Sequence, residues 1–200
     1  MLRRQLFTAL KVTVALLVLT CGVYPASVWA VGQVAFKHQA DGSFVKSNGH
    51  VVGSSLIGQR FADKDGNPIP KYFQPRPSAA GDGYDPMQSQ GSNLGPSNPK
   101  LFDEVKARVA AYRQLNVLAD NVSVPVDAVT ASGSGLDPDI SVANALDQAS
   151  RVARVRGLSL ETVTYLIRGH TNGRPWGVLG EKTVNVLDLN LALDTLSPPG

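Results

Sequence analysis

A run of 25 residues without a charged side chain, 12–36, constrains this chain more than any other feature. The core of a bilayer is about 30 Å thick and is crossed by about 20 apolar residues in a helix. Aromatic residues in the second half of the run are of the kind found at membrane–water boundaries. The run therefore predicts a membrane span, whose apolar residues include Val12, Leu16, Leu17, Leu19 and Val23.

The net positive charge of the chain lies entirely ahead of this run. Arg3, Arg4 and Lys11 account for the formal net charge of +3, because the chain from Val12 onward carries equal numbers of basic and acidic residues. Basic residues before a span predict a cytoplasmic N-terminus, so we expect the rest of the chain outside the cytoplasm. Nucleic-acid binding needs a basic face, and a neutral domain gives no indication of one.

A cleavable secretory signal is the main alternative to an uncleaved anchor. A basic start, an apolar core, Pro25 and a small residue at Ala30 would also suit a signal peptidase. A lipoprotein attached through Cys21 is a weaker alternative, since Thr20 stands where a small residue is usual. Both main interpretations export the domain. Because Cys21 is the only cysteine and lies in the span, we expect no disulfide in that domain.

The remaining chain predicts an α+β (irregular α/β) domain tethered by the span. We divide the chain into a basic tip (1–11), a span with its interface (12–36), a linker (37–49) and an extracytoplasmic domain (50–200). Helices are predicted from capping residues and apolar periodicity at 99–115, 142–156, 160–168 and 187–196. Strands are predicted at 50–61, 122–130 and 178–186. A turn is predicted at 63–68, and a long loop rich in proline and glycine at 72–99.

Two short motifs resemble ligand-binding patterns but lack the residues that the chemistry requires. Gly53 and Gly58 have P-loop spacing, yet the lysine and hydroxyl residue that should follow are absent, so a bent strand is favoured. Asp63 begins a calcium-like pattern, but Pro68 occupies the position that requires glycine, so a turn is favoured.

Nucleophilic catalysis is the third possibility that the sequence raises. Ser132 and Ser134 lie in a glycine-rich loop, and the chain contains three histidines that a triad would draw on. None of them stands in a recognisable hydrolase motif, and the histidines lack metal-ligand spacing. Asp137 and Asp139 precede a predicted helix, where capping or a turn is favoured over catalysis. The residues alone leave the function open.

Several segments taken together resemble the C subunit of the Kdp-type potassium-transporting P-type ATPase of bacteria. They occur in order along the chain: GSSLIGQ at 53–59, YF at 72–73, RPSA at 76–79, GSNLGPSN at 91–98, VPV at 124–126, VTASGSGLD at 129–137, RVA at 151–153, VNVL at 184–187 and LNLALD at 189–194. No segment is diagnostic alone, but the ordered set is highly specific.

The resemblance implies a non-catalytic accessory subunit of an ATP-driven potassium importer in the inner membrane, with an uncleaved span. Its implied partners are a potassium-translocating subunit, a catalytic ATPase subunit and a very small membrane subunit. The chain would hold no cofactor of its own, and the partners would handle ATP, magnesium and potassium. The family is assigned a chaperone-like role that raises the ATP affinity of the catalytic subunit. The alternatives are an exported hydrolase and a solute-binding module released by cleavage at Ala30.

Two sets of residues are candidates for contact with those partners. Small and hydroxyl-bearing residues let membrane helices approach, which makes Thr13 and Thr20 candidates within the span. In the long loop the candidates are Tyr72, Phe73, Arg76, Asn93 and Asn98. For the loop, a purely structural role, with side chains that satisfy the loop backbone and a carboxylate partner for Arg76, is an equal alternative.

Overall fold

The computed structural model describes residues 1–196, which fall into two compact units divided between Phe44 and Val45. The first unit is dominated by helix α1 (Leu2–Leu17), a π-helical segment (Val18–Val23) and helix α2 (Tyr24–Ala35). Together they form a 34-residue helix with no buried residue, the one helix of the described chain that is long and apolar enough to cross a membrane. The π-helical segment ends two residues before Pro25, whose nitrogen has no hydrogen for the α-helical ladder.

The segment expected as a linker, 37–49, contains regular structure. Helix α3 (Lys37–Ala40) follows the long helix, and strand β1 (Phe44–Ser47) forms a two-stranded sheet with β2 (His50–Ser54). Asn48 and Gly49 both have positive φ, as the tight turn of a two-residue hairpin requires. Polar composition alone did not indicate this hairpin.

The second unit contains helices packed on a small antiparallel sheet. Its helices are α4 (Pro99–Asn116), α5 (Val126–Val129), α6 (Val142–Arg156), α7 (Leu160–Gly169) and α8 (Val186–Leu196). Its strands β3 (Asp139–Ser141), β4 (Thr171–Asn172) and β5 (Thr183–Asn185) form a sheet in the order β3-β5-β4. Ile140 pairs with Val184 across the β3–β5 ladder, and both side chains are buried.

The core lies between the sheet and helices α6, α7 and α8. The strands of the antiparallel sheet are only two or three residues long, so the apolar stripes of the helices provide most of the buried surface. The buried apolar cluster contains Phe73, Ile140, Ala145, Ala149, Val152, Ala153, Val163, Ile167, Val184, Val186, Leu189 and Leu193. One member, Phe73, comes from the long loop, so the loop is part of the core.

The predicted helices are confirmed, with bounds close to those expected. Their caps are those predicted: the side chains of Asn98, Ser141 and Ser159 accept hydrogen bonds from backbone N–H groups of the first turns of α4, α6 and α7. Gly157 ends α6 in the left-handed conformation that favours glycine.

The strand predictions are only partly confirmed. The strand predicted at 122–130 is wrong: the segment contains the single helical turn α5, which begins after Pro125. The strands predicted at 50–61 and 178–186 shorten to β2 and β5, while β3 and β4 were not predicted. Strands of two or three residues carry too little alternation for sequence periodicity to reveal them.

Candidate functional site

The candidate site is the long loop, 72–98, whose first part is held inside the domain by buried polar side chains. Asn190 of α8 bonds the backbone of Phe73 twice, accepting from its N–H at 2.8 Å and donating to its carbonyl at 3.0 Å. The amide side chain thus satisfies the backbone N–H and carbonyl of Phe73, as a neighbouring strand would in a sheet. The ring of Phe73 is fully buried, which fixes the position of the loop in the core.

Arg151 of α6 is the second attachment of the loop. Its side chain is 1% exposed and has no carboxylate within salt-bridge distance among residues 1–196. It donates instead to neutral acceptors: the carbonyls of Pro70 and Tyr72, Asn116 Oδ1 at 2.9 Å and Gln148 Oε1 at 2.8 Å. Burial lowers the pKa of the Arg151 guanidinium to about 10, where it is still charged at neutral pH.

Gln148 and Tyr72 complete the attachment on either side of Phe73. Gln148 accepts from the Gln74 N–H at 2.7 Å and donates to the Gln74 carbonyl at 3.1 Å. The hydroxyl of Tyr72 donates to Asp194 at 3.1 Å, and that carboxylate also pairs with Arg156 at 2.7 Å. Burial, followed by the charge of Asp194, raises the pKa of the Tyr72 hydroxyl.

Arg76 is joined to the segment that ends before β3. Its guanidinium pairs with Asp137 at 2.7 Å, and both side chains are about one quarter exposed. The ring of Tyr84 closes the same junction, where its hydroxyl donates to the carbonyl of Arg76 at 2.9 Å and desolvation raises its pKa. Gly58 lies so close to the Tyr84 ring that a Cβ atom on residue 58 would be 2.4 Å from it, which explains the glycine at this position of the 53–59 motif.

The second part of the loop, 86–97, faces solvent. It begins with a single 3-10 turn at Pro86–Gln88 and is exposed except at Gly91 and Leu94, which are half-buried. The Met87 side chain is 89% exposed, and Asn93 is exposed with a φ of 52°. The segment then ends at Asn98, whose Oδ1 accepts from the N–H of Lys100 and caps α4.

The loop residues predicted as partner contacts therefore differ in accessibility. Phe73 presents no surface to a partner, while Tyr72 and Arg76 are half-buried and bonded within the domain. Asn98 is bonded as a helix cap, and Asn93 alone belongs to the exposed segment. Contact between any of these residues and a partner stays a prediction.

The serine loop has a structural arrangement. Ser132 Oγ accepts from the N–H of Gly135 at 2.9 Å, and Ser134 Oγ accepts from the N–H of Leu136 at 3.1 Å. His170, at the end of α7, bonds the Leu166 carbonyl through Nδ1 at 2.9 Å. These hydrogen bonds stabilise local turns and do not join a serine to a histidine.

The turn predicted at 63–68 is confirmed. Asp63 Oδ1 accepts from the N–H groups of Asp65 at 3.0 Å and Asn67 at 2.8 Å. The backbone hydrogen bond from Asn67 is the main cause of a lowered Asp63 pKa. The carboxylate of Asp63 thus stabilises the turn through its own backbone.

In the long apolar helix, the five apolar residues named for the span are all more than half exposed: Val12, Leu16, Leu17, Leu19 and Val23. Thr20 lies within the π-helical segment, and its hydroxyl donates to the Leu16 carbonyl at 2.7 Å. Thr13 lies in α1, one turn before that segment. Because a π turn holds more residues than an α turn, the two threonines align less closely than their seven-residue spacing implies.

No sequence pattern identified Arg151, Gln148 and Asn190 as the residues that hold the loop. All three are polar residues within buried helical stripes, at most 1% exposed. A buried polar side chain requires a hydrogen-bond partner, which was the signal available in the sequence. The partners lie 74 to 117 residues away along the chain for Gln148 and Asn190, so the sequence could not name them.

The fold and the apolar helix define an α+β protein with one N-terminal helix suited to a single-pass membrane anchor. The family model KdpC, described as K+-transporting ATPase, c chain, matches residues 6–195. The chain is 54% identical to the potassium-transporting ATPase KdpC subunit of Mycobacterium tuberculosis (strain H37Rv) over 195 residues, which cover 98% of this chain and 100% of that relative. The subunit of Koribacter versatilis is 47% identical over 98% of this chain and 97% of its own length.

The chain belongs to the KdpC family of potassium-transporting ATPase subunits. It is therefore a non-catalytic subunit of the Kdp ATPase complex, as the sequence motifs predicted. This membership overturns the alternatives of an exported hydrolase and a released solute-binding module.

Proposed function

We propose that this subunit is an uncleaved, single-pass component of the inner membrane that assembles and stabilises the potassium importer from the extracytoplasmic side. Arg3, Arg4 and Lys11 hold the N-terminus in the cytoplasm, and the α+β domain lies on the extracytoplasmic side. The exposed segment 86–97, set on a loop that is fixed in the core, is the observation that carries this proposal.

The segment 86–97 is suited to contact because its base is rigid and its tip is accessible. Bonds from Asn190 and Arg151 hold the incoming chain, and the helix cap at Asn98 fixes the outgoing chain. A segment fixed at both ends loses little conformational freedom when it binds, which favours affinity. We assign it contact with the potassium-translocating subunit, at the outer mouth of the ion pathway.

The apolar helix provides a second contact within the membrane. Lipid tails are as apolar as leucine, so helix association in a bilayer depends on small and hydroxyl-bearing residues. Thr13 on α1 and Thr20 on the π-helical segment are hydroxyl-bearing residues of this kind. Their partner is the potassium-translocating subunit or the very small membrane subunit.

This topology also bears on the effect on ATP affinity that the family resemblance implies. The catalytic P-type ATPase subunit binds ATP and magnesium in the cytoplasm, opposite the proposed side of the α+β domain. We therefore infer that any increase in ATP affinity is transmitted through the span or through the other subunits. No direct contact of this chain with nucleotide is needed.

Co-purification with a tagged full-length chain tests the proposed contacts. Met87→Glu places a charge on the exposed segment and should lower recovery of the partner subunits in mild detergent. Tyr165→Glu is the matched control, since Tyr165 is 76% exposed on α7, and it should leave recovery unchanged. Equal recovery with Met87→Glu and with the wild-type chain would exclude segment 86–97 as the contact.

The span is tested in the same assay. Replacing Thr13 and Thr20 together by leucine keeps the helix apolar, so membrane insertion should persist while recovery of the partners falls. Intact recovery after this change would show that the span anchors the domain and makes no decisive contact with a partner.

Two further experiments test the anchor and its orientation. N-terminal sequencing of the mature chain should find residues 1–30 retained. A reporter that matures only outside the cytoplasm should be active when it is fused after Gly200, and activity there of a reporter that works only in the cytosol would contradict the orientation.

A further inference from the structure

The loop between β4 and β5 is an apolar tip that the proposed assembly does not use. Every residue from Asn172 to Lys182 is exposed. Three apolar residues lie within four positions of one another in this loop: Trp176 is 91% exposed, Val178 74% and Leu179 51%. Tryptophan is usually largely buried in folded proteins, so nearly complete exposure beside two aliphatic residues marks an interaction site.

The backbone of the tip holds the tryptophan outward at an energetic cost. Trp176 has a φ of 52° and a ψ of 17°, in the left-handed region that bulky residues avoid. Gly177 and Gly180 also have positive φ, so the chain turns sharply on both sides of the aliphatic pair. Such strain persists where the surrounding structure maintains it, and it is concentrated at functional segments.

Charged residues lie at the base of the tip. Arg174 pairs with Glu181 at 2.6 Å, which joins the two sides of the loop and neutralises both charges. Lys182 is exposed next to this pair and leaves the base with a positive charge. An apolar end with an aromatic residue above a basic base is the arrangement that proteins present to the interface of an anionic bilayer.

We propose that the 173–182 tip inserts Trp176, Val178 and Leu179 into the lipid headgroup region of the bilayer that holds the apolar helix. This inference rests on the proposed membrane anchoring. A lipid surface is favoured as the occupant because the helix keeps the domain beside a bilayer at high effective concentration, where even weak insertion is populated. The aromatic ring suits the interface, where its apolar body is buried and its N–H stays hydrated.

Two single-tryptophan chains test the proposal, since Trp29 and Trp176 are the only tryptophans. The full-length chain is reconstituted without partners into vesicles of phosphatidylethanolamine and phosphatidylglycerol, with and without brominated acyl chains that quench nearby tryptophan. Trp29→Phe reports Trp176 alone, and Trp176→Phe reports Trp29 in the span as a positive control. Flotation of the vesicles measures anchoring separately.

Both chains should float with the vesicles, and brominated lipid should quench Trp176 and Trp29 to a similar degree. Val178→Ser combined with Leu179→Ser in the Trp29→Phe chain should lower the ratio of inserted to free tip about a hundredfold, since each aliphatic side chain contributes about tenfold on burial. Flotation without quenching of Trp176 would overturn this inference and leave the anchoring intact. Failure to float would overturn both, and shielding of Trp176 only when partner subunits are added would assign the tip to a protein contact instead.

Discussion

Replacement of Arg151 by methionine measures how strongly the buried guanidinium holds the long loop. Methionine has a similar length and fills the same space without donating a hydrogen bond. The change would leave the Pro70 carbonyl and Asn116 Oδ1 without a donor, and would remove the shorter of two contacts to the Tyr72 carbonyl. Gln148 Oε1 would keep its bond from the Gln74 N–H.

The expected loss follows from these acceptors. An unsatisfied buried acceptor costs about 1–3 kcal/mol, and the two acceptors left without a donor are Oδ1 of the buried Asn116 and the carbonyl of the exposed residue Pro70, which water can reach, so together they cost about 2–5 kcal/mol. Removing a buried charge that has no carboxylate partner offsets part of this loss. We therefore expect Arg151→Met to lower the free energy of unfolding by about 2–4 kcal/mol, a large share of the roughly 5–15 kcal/mol typical of a folded domain.

Urea unfolding of the full-length chain in detergent, followed by far-ultraviolet circular dichroism, measures this difference. Arg154→Met is the matched control, because Arg154 lies one turn further along α6 and is exposed. The control should change stability by less than about 0.5 kcal/mol. Limited proteolysis should also cut the Arg151→Met chain near residues 70–77 first. A loss below about 1 kcal/mol, with no new cleavage there, would refute the role assigned to Arg151.

Three further predictions concern other sites in the domain. Val117 follows α4 with a φ of 55°, a left-handed conformation that strains a valine but not a glycine. Val117→Gly should therefore raise the free energy of unfolding by about 1 kcal/mol in urea unfolding, and a decrease would show that the valine is not strained there. Asn98→Ala removes the cap bond to the Lys100 N–H and should cost about 1 kcal/mol in the same assay, whereas no change would show the cap to be dispensable. Burial, followed by the charge of Asp127, raises the pKa of Asp147, so ionised Asp147 destabilises the fold above that pKa and the penalty disappears as the pH falls through it. Asp147→Asn should then stabilise the chain at pH 7 and not at pH 3, and an equal effect at both pH values would exclude titration as the cause.

The elements with strong local signals were predicted correctly because their causes lie within a few residues. Asn98, Ser141 and Ser159 cap their helices through N–H groups two or three residues away, and Gly157 ends α6 through its own backbone freedom. The apolar helix is similarly local, since its length and its lack of charge are properties of one uninterrupted segment.

The incorrect strand at 122–130 shows where local pattern fails. Its β-branched residues favour a strand, yet Asp127 accepts bonds from the N–H and hydroxyl of Ser141 and from the side chain of Asn144. These residues lie 14 and 17 positions further along the chain, and their bonds stabilise a helical turn that begins after Pro125. Tertiary hydrogen bonding outweighed intrinsic propensity, which differs by only about 1 kcal/mol between residue types in strands.

The family, the apolar helix and the helical framework could be predicted from the sequence alone, because ordered motifs, charge placement and caps depend on residues that are close together along the chain. Which part of the long loop is structural and which part is accessible depends on the packing of distant segments. Phe73 and Asn190 are 117 residues apart, and Arg151 reaches a carbonyl 81 residues before it. A buried polar side chain must find a partner, but which partner it finds depends on how distant segments pack, and no local pattern records that choice.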